Sequence, residues 1–257
     1  MKASISRFLH PLSSRRPCLA ALLIALAGLC LPATPVAAAF VSDAGAGGVP
    51  PTTDATLYGL SGTMLVPGLD VLPRGGGRAA MHLVGGDAVD QGSLKGVFAF
   101  SDDAEVAIMK RFGVGDDQFA YDPILAAKYK VRPSLAVAAI IDTTTGVKDS
   151  VMLLTGTPGN RVVLGLGANF ALEGTERDAH FGHYPDRLSP VDNLFFVFGG
   201  RLNIDPDTEI TMDYAGTDFL LGLRHRLDDR LALDFGYFLP DRLHTKSRFC
   251  LGANFGF

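Results

Sequence analysis

The sequence predicts an all-β fold: an antiparallel transmembrane up-and-down β-barrel of about twelve strands. Three observations predict it. First, the chain ends on Arg248-Phe-Cys-Leu-Gly-Ala-Asn-Phe-Gly-Phe257, where Phe249, Leu251, Ala253, Phe255 and Phe257 alternate with small or polar residues. A soluble sheet rarely ends on such a bare apolar edge, whereas the closing strand of a membrane barrel turns that face to lipid. Second, from residue 77 onward the chain is written in period-two segments separated by turn residues, with no convincing helical period. Third, the connections alternate between tight turns and longer loops, the usual asymmetry of an outer-membrane barrel.

The expected strands are 77–85, 94–101, 104–113, 123–131, 135–142, 149–157, 161–171, 194–203, 208–215, 218–227, 230–238 and 248–257. Alternation is clear in Thr208–Ala215, where Ile210, Met212 and Tyr214 interleave with Glu209, Thr211 and Asp213. It is equally clear in Arg230–Phe238, Arg161–Ala171 and Ile124–Val131, and less clean in Leu94–Ser101 and Leu194–Asn203. Most segments suit a tilted crossing, which takes roughly 9–11 residues. With both barrel ends in the periplasm, the tight turns Ser101–Asp103, Arg132–Ser134, Pro158–Asn160, Ile204–Asp207 and Asp228–Asp229 fall on the periplasmic side. The connections Gly86–Ser93, Val114–Asp122, Thr143–Lys148, Leu172–Asn193 and Leu239–Ser247 fall outside, and only Gly216-Thr217 is short there.

The N-terminus predicts export. Lys2, Arg7, Arg15 and Arg16 form a basic region ahead of the apolar run Leu19–Leu31, and Val36-Ala-Ala-Ala39 supplies small residues for cleavage. Residues 1–39 are therefore read as a cleavable signal peptide, 40–76 as a flexible leader and periplasmic or plug segment, and 77–257 as the barrel. The expected location is the bacterial outer membrane, with the lipid bilayer and the barrel-assembly machinery as partners. Gly252, Phe255 and Phe257 are the candidate assembly signal at the carboxyl end.

Composition narrows the function. A formal net charge of −4 argues against a nucleic-acid partner. Of 3 cysteines only Cys250 follows the signal, so the mature chain has neither an internal disulfide nor a cysteine-based zinc site. Thirty glycines and 19% charged residues suit a crowded lumen. With no Trp, Phe and Tyr have to build the interfacial girdles.

The strand register places Lys128, Lys130, Arg201, Glu209, Asp213, Arg224, Arg226, Arg230 and Asp234 on the inward face. Charges of both signs can pair across a filled lumen, because an unpaired buried charge is costly. They can equally line a polar conduit, and the basic groups on the late strands make an anionic solute conceivable. The first of these readings is favoured, since a barrel of this size is readily filled by its own side chains.

The segment Leu57–Gly77 has its own grammar. Gly59 and Gly62 flank a short apolar stretch, Pro67 and Pro73 bracket a second, and Gly75–Gly77 lets the chain turn into the first strand. Gly59-Leu-Ser-Gly-Thr-Met-Leu-Val-Pro67 and Val71-Leu-Pro-Arg-Gly75 resemble the opening motif of the YjbH-like outer-membrane proteins. The Leu220–Tyr237 hairpin is similar in style. The resemblance implies an outer-membrane barrel linked to exopolysaccharide production or export, with polysaccharide-export components as partners. This chain is much shorter than the typical member, and Gly68-Leu69-Asp70 stands where small polar residues are usual. The family brings no catalytic residues.

Other chemistry is weaker. His180 and His183, with Glu176, Asp178 and Asp186, could hold a divalent metal but sit in the longest loop with no third ligand fixed. Gly165-Leu-Gly-Ala-Asn169 lacks the Lys and helix of a phosphate loop and reads as small inward residues. Ser93 and His82 lie near the first outer loop, where a membrane lipid hydrolase would need a nucleophile and base, yet nothing in the sequence orients the His. The expectation is a non-enzymatic barrel without cofactor, metal or catalytic residues. Its role is structural or transport-related, with a polar or partly plugged lumen gated by Leu172–Asn193. The alternatives are a small porin for polar or anionic solutes, an outer-membrane lipid-modifying enzyme, and a soluble periplasmic β-protein.

Overall fold

The computed structural model describes residues 54–86, 91–113, 122–144, 149–157, 159, 161–170, 193–240 and 246–257. The expected signal peptide and leader as far as residue 53 lie outside these residues. So do most of Leu172–Asn193, the loop expected to gate the lumen, its His180/His183 cluster, and the tips of four other outer loops.

Twelve strands form one closed antiparallel barrel. They are β1 Gly77–Gly85, β2 Gln91–Ser101, β3 Ala104–Gly113, β4 Ile124–Arg132, β5 Leu135–Asp142 and β6 Asp149–Gly156. They continue as β7 Val162–Phe170, β8 Leu194–Asn203, β9 Thr208–Ala215, β10 Asp218–Arg226, β11 Leu231–Phe238 and β12 Arg248–Gly256. Each strand pairs with its sequence neighbours, and β1 pairs with β12 from Arg78↔Gly256 to Gly85↔Phe249. Closure removes the sheet edges that would otherwise leave backbone groups unpaired in lipid.

The strand pattern agrees with expectation to within about three residues at each end. The largest difference is at β2, which starts at Gln91 because Gly92 and Ser93 continue the ladder opposite Leu83 and His82. Strand β11 starts at Leu231, which leaves Arg230 in the turn. Arg230 is thus exposed at the rim of the barrel. The turn is set by Asp228, whose carboxylate accepts the backbone N–H groups of Arg230 and Leu231 at 2.7 and 2.8 Å.

Alternation sorts the side chains. Outward positions on β2, β3, β4, β10, β11 and β12 carry Leu94, Phe98, Val106, Ile108, Leu125, Leu221, Leu223, Leu233, Phe235 and Leu251, all exposed. Inward positions carry the charges, including the buried Lys95, Glu105, Lys128, Asp213, Arg224 and Asp234. This is the inverse of a soluble protein and the pattern of a membrane-spanning barrel. Outward polar groups such as Lys110 and His225 sit near strand ends. Phe100, Tyr129, Phe255 and Phe257 lie toward the short-turn end, and Phe196, Tyr214, Tyr237 and Phe249 toward the long-loop end. Tyr237 and Phe249 rings meet at 5.2 Å and Phe196 and Tyr214 at 6.5 Å. Phe and Tyr thus form both aromatic belts in a chain with no Trp.

Candidate functional site: the filled lumen

The space inside the barrel is occupied by the chain itself. Residues 54–76 precede β1, and Leu60, Met64, Leu65, Val66 and Leu69 in this segment are at most 1% exposed. The segment folds as two successive tight loops. Thr56 N–H donates to Leu60 carbonyl at 2.8 Å, and Leu57 N–H to Met64 carbonyl at 2.7 Å. Gly62 N–H donates to Asp54 carbonyl at 3.0 Å, and Gly68 N–H to Ser61 carbonyl at 2.9 Å. Isolated bridges join Ala55 to Ser61 and Gly62 to Pro67. Gly59 has a φ of 96°, the left-handed conformation glycine adopts without strain. Gly62 is required for space: a Cβ there would collide with Val66 carbonyl and Gly68 nitrogen.

The plug enters and leaves at the short-turn end. Asp54 lies 3.5 Å from Arg78 at the start of β1, and Gly75 N–H donates to Ala99 carbonyl near the end of β2 at 2.8 Å. Between these points its apolar side chains pack against one arc of the wall, where Ala136, Ala138, Ile140, Met152, Leu154, Val163 and Val197 point inward. On the opposite arc, Gly222 and Gly236 make room for Met64; a side chain at Gly222 would overlap its sulfur.

Three polar clusters fix the plug. Asp213 on β9 accepts Thr63 Oγ1–H at 2.6 Å with one oxygen and the Met64 and Leu65 N–H groups at 3.1 Å with the other. Glu105 on β3 accepts Ser61 N–H at 2.8 Å and Leu72 N–H at 3.2 Å, and is held 3.1 Å from Lys128. Lys128 donates to Ser61 carbonyl at 2.7 Å and Asp70 carbonyl at 2.6 Å. Asp234 on β11 forms the third centre. It accepts Arg224 Nε–H at 2.6 Å and Asn254 Nδ2–H at 2.7 Å, and meets His82 Nε2 at 2.8 Å. Asn254 Oδ1 then accepts Ala55 N–H at 3.0 Å. Lys95 bonds His82 Nδ1 at 2.8 Å and donates to Thr56 carbonyl at 3.0 Å. Buried charges of this kind persist only where partners surround them.

The inward residues read from the sequence divide among these clusters. Lys128, Asp213, Arg224 and Asp234 are buried, and each touches the plug or a side chain that does. Lys130 pairs with plug Asp70 at 3.3 Å, and Arg226 approaches Asp54 at 3.7 Å. Arg201 and Glu209 pair at 3.1 Å, and Glu209 lies 3.4 Å from Arg224. Sequence reading missed Glu105, Lys95 and Asn254 as plug contacts, although Glu105 had a signal: it opens an inward row continued by Ala107, Met109 and Arg111.

His82 and Ser93 are cross-strand partners and both are buried. His82 faces the lumen, with one ring nitrogen on Asp234 and the other on Lys95. It serves as a link in the polar wall. Gly165 and Gly167 lie in mid-strand, their missing side chains giving space to Leu154, Val197 and Phe195. At the carboxyl end, Phe255 and Phe257 face outward, while Gly252 lies beside the His82 ring.

No protein-family model matches the chain. No curated protein matches it either. Among solved structures, the KdgM porin is similar with a TM-score of 0.48 and 9% identity, over 70% of this chain and 99% of that one. An outer membrane channel from Pseudomonas putida F1 gives a TM-score of 0.42 and 12% identity, over 75% of this chain and 100% of that one. Outer membrane phospholipase A from Escherichia coli gives 0.41 and 8%, over 71% and 93%. The chain folds as a closed twelve-stranded antiparallel β-barrel.

Proposed function

We propose that this protein is a gated conduit of the bacterial outer membrane, closed at rest by its own residues 54–76 and opened when that segment is displaced. The observation that carries the reading is the chemistry of the plug–wall contact. Asp213, Glu105 and Lys128 each hold the plug through several directional hydrogen bonds. A lumen filled only for stability could use apolar packing throughout, as the wall does at Ala136, Ala138, Ile140, Met152, Leu154, Val163 and Val197. Both ends of the plug lie at the short-turn rim, so it can leave on that side without unthreading the barrel. An N-terminal export signal and an outward-facing closing strand fit delivery to the outer membrane and insertion by the barrel-assembly machinery.

The role we assign is in exopolysaccharide production or export. It is supported by the resemblance of Gly59–Pro67 and Val71–Gly75 to the YjbH-like opening motif, because those residues form the body of the plug. Conductance in planar bilayers tests the gate. The wild type should pass no steady current, and full-length Gly62→Val, whose plug cannot fold, should conduct. Steady wild-type pores would favour the open-porin reading, and a silent Gly62→Val barrel would favour a purely structural one. Secretion of polymer by a deletion strain complemented with either form tests the polysaccharide role.

A further inference from the structure

Resting on the gated-conduit reading, we propose that the opened lumen selects anions. The plug supplies oxygens to the cations of the wall. Its Asp54 carboxylate lies within 3.8 Å of Arg78, Arg224 and Arg226. Its Asp70 carboxylate lies 3.3 Å from Lys130. Its carbonyl oxygens at Thr56, Ser61 and Asp70 take Lys95 and Lys128 at 2.6–3.0 Å.

Most wall carboxylates have a cation of the wall itself as ion-pair partner. Glu209 is paired with Arg201 and Arg224, Asp234 with Arg224, and Glu105 with Lys128. At the long-loop end, Asp142 is paired with Arg111 and Asp218 with Arg248. Asp213 and Glu105 are the wall carboxylates whose hydrogen bonds run mainly to the plug, and of the two Glu105 keeps a wall cation, Lys128, at 3.1 Å. Withdrawing the plug therefore removes two carboxylates from the lumen, and it strips acceptors from Lys95, Lys128, Lys130 and Arg226.

These cations occupy different heights. Lys130 and Arg226 are near the short-turn rim, and Lys95 and Lys128 lie deeper. Among the described inward strand positions, cations outnumber carboxylates. Low-dielectric walls focus such a field, so a narrow opened path concentrates anions and repels cations. The plug itself, with two carboxylates and several carbonyls against basic side chains, occupies the positions an anionic solute would take.

The test is the zero-current potential of full-length Gly62→Val across a KCl gradient in planar bilayers. Heat-modifiable gel mobility confirms the folded barrel. Wild type opened by urea, at a concentration that leaves that mobility intact, serves as a second preparation. The expected result is a potential of the sign set by chloride, with chloride favoured roughly threefold or more over potassium. Adding Lys95→Gln and Lys130→Gln to Gly62→Val should bring that ratio toward one. An open lumen that favours potassium, or that does not discriminate, overturns the proposal and leaves the gate standing. A folded barrel that conducts in neither preparation overturns the gate and the selectivity together.

Discussion

Thr63 and Asp213 stand 150 residues apart in sequence and meet at 2.6 Å inside the barrel, the threonine hydroxyl donating to one carboxylate oxygen. The other oxygen takes two successive backbone N–H groups of the plug. Replacing Asp213 by Ala leaves the Met64 and Leu65 N–H groups without their acceptor, at about 1–3 kcal/mol for each buried group left unsatisfied, while the Thr63 hydroxyl keeps the Val66 carbonyl at 3.1 Å. The strand is otherwise intact, so the barrel should still assemble and run as a compact species. The plug should loosen, seen as steady bilayer current and as faster protease cleavage within 54–76. Asp213→Asn keeps a carbonyl acceptor and should give a smaller effect.

The Glu105–Lys128 pair makes a different prediction, because both charges are buried. Lys128→Met leaves Glu105 without its cation and should destabilise the folded barrel by roughly 3–5 kcal/mol. The temperature at which gel mobility shifts should fall accordingly. Adding Glu105→Leu removes the stranded charge and should recover much of the loss. If the double variant were no more stable than the single one, Glu105 would draw its stabilisation from the plug rather than from Lys128.

The barrel was legible because lipid imposes a period of two on any strand that faces it. Thr208–Ala215 and Arg230–Phe238 show that period cleanly, since their inward residues Glu209, Asp213 and Asp234 are charged. The inside of β5 was not legible. Ala136, Ala138 and Ile140 point at an apolar side of the plug, while Val137, Ala139 and Ile141 point outward, so both faces read alike. Which wall residue meets which part of the plug depends on buried hydrogen bonds between groups 33 to 199 residues apart, and no local pattern encodes them. Arg230 shows the limit of parity alone: it stands one residue before the strand, in the turn that Asp228 organises, and is exposed.

The fit of Met64 between β10 and β11 predicts a steric coupling. A side chain at Gly222 would overlap Met64 sulfur, so Gly222→Val should expel the plug or strain the wall. Either outcome lowers the temperature of the mobility shift or opens current. Met64→Ala alone should cost roughly 2–5 kcal/mol of plug seating through the cavity it leaves. Because Thr211 Oγ1 also crowds that position, Met64→Ala should rescue Gly222→Val only in part. Full additivity of the two substitutions would show that Met64 does not occupy the space Gly222 provides.

The short turns predict an acid sensitivity located at one rim. The Asp228 carboxyl is held below the usual carboxylate range by the backbone N–H groups of Arg230 and Leu231, and that of Asp205 by the N–H of Asp207 and by contacts with Thr208. A carboxyl whose folded pKa is depressed contributes stability that is complete above its unfolded pKa and is lost as pH falls through the lower folded value. These turns should therefore hold at neutral pH and weaken only below about pH 4, the ordinary carboxylate range. Amide hydrogen exchange at Arg230, Leu231 and Asp207 should accelerate relative to the strand interiors as pH drops through that window, after correction for the intrinsic pH dependence of exchange. Asp228→Asn removes the titration, so its Arg230 and Leu231 protection should become independent of pH there. Unchanged acid sensitivity in Asp228→Asn would assign the effect to another group.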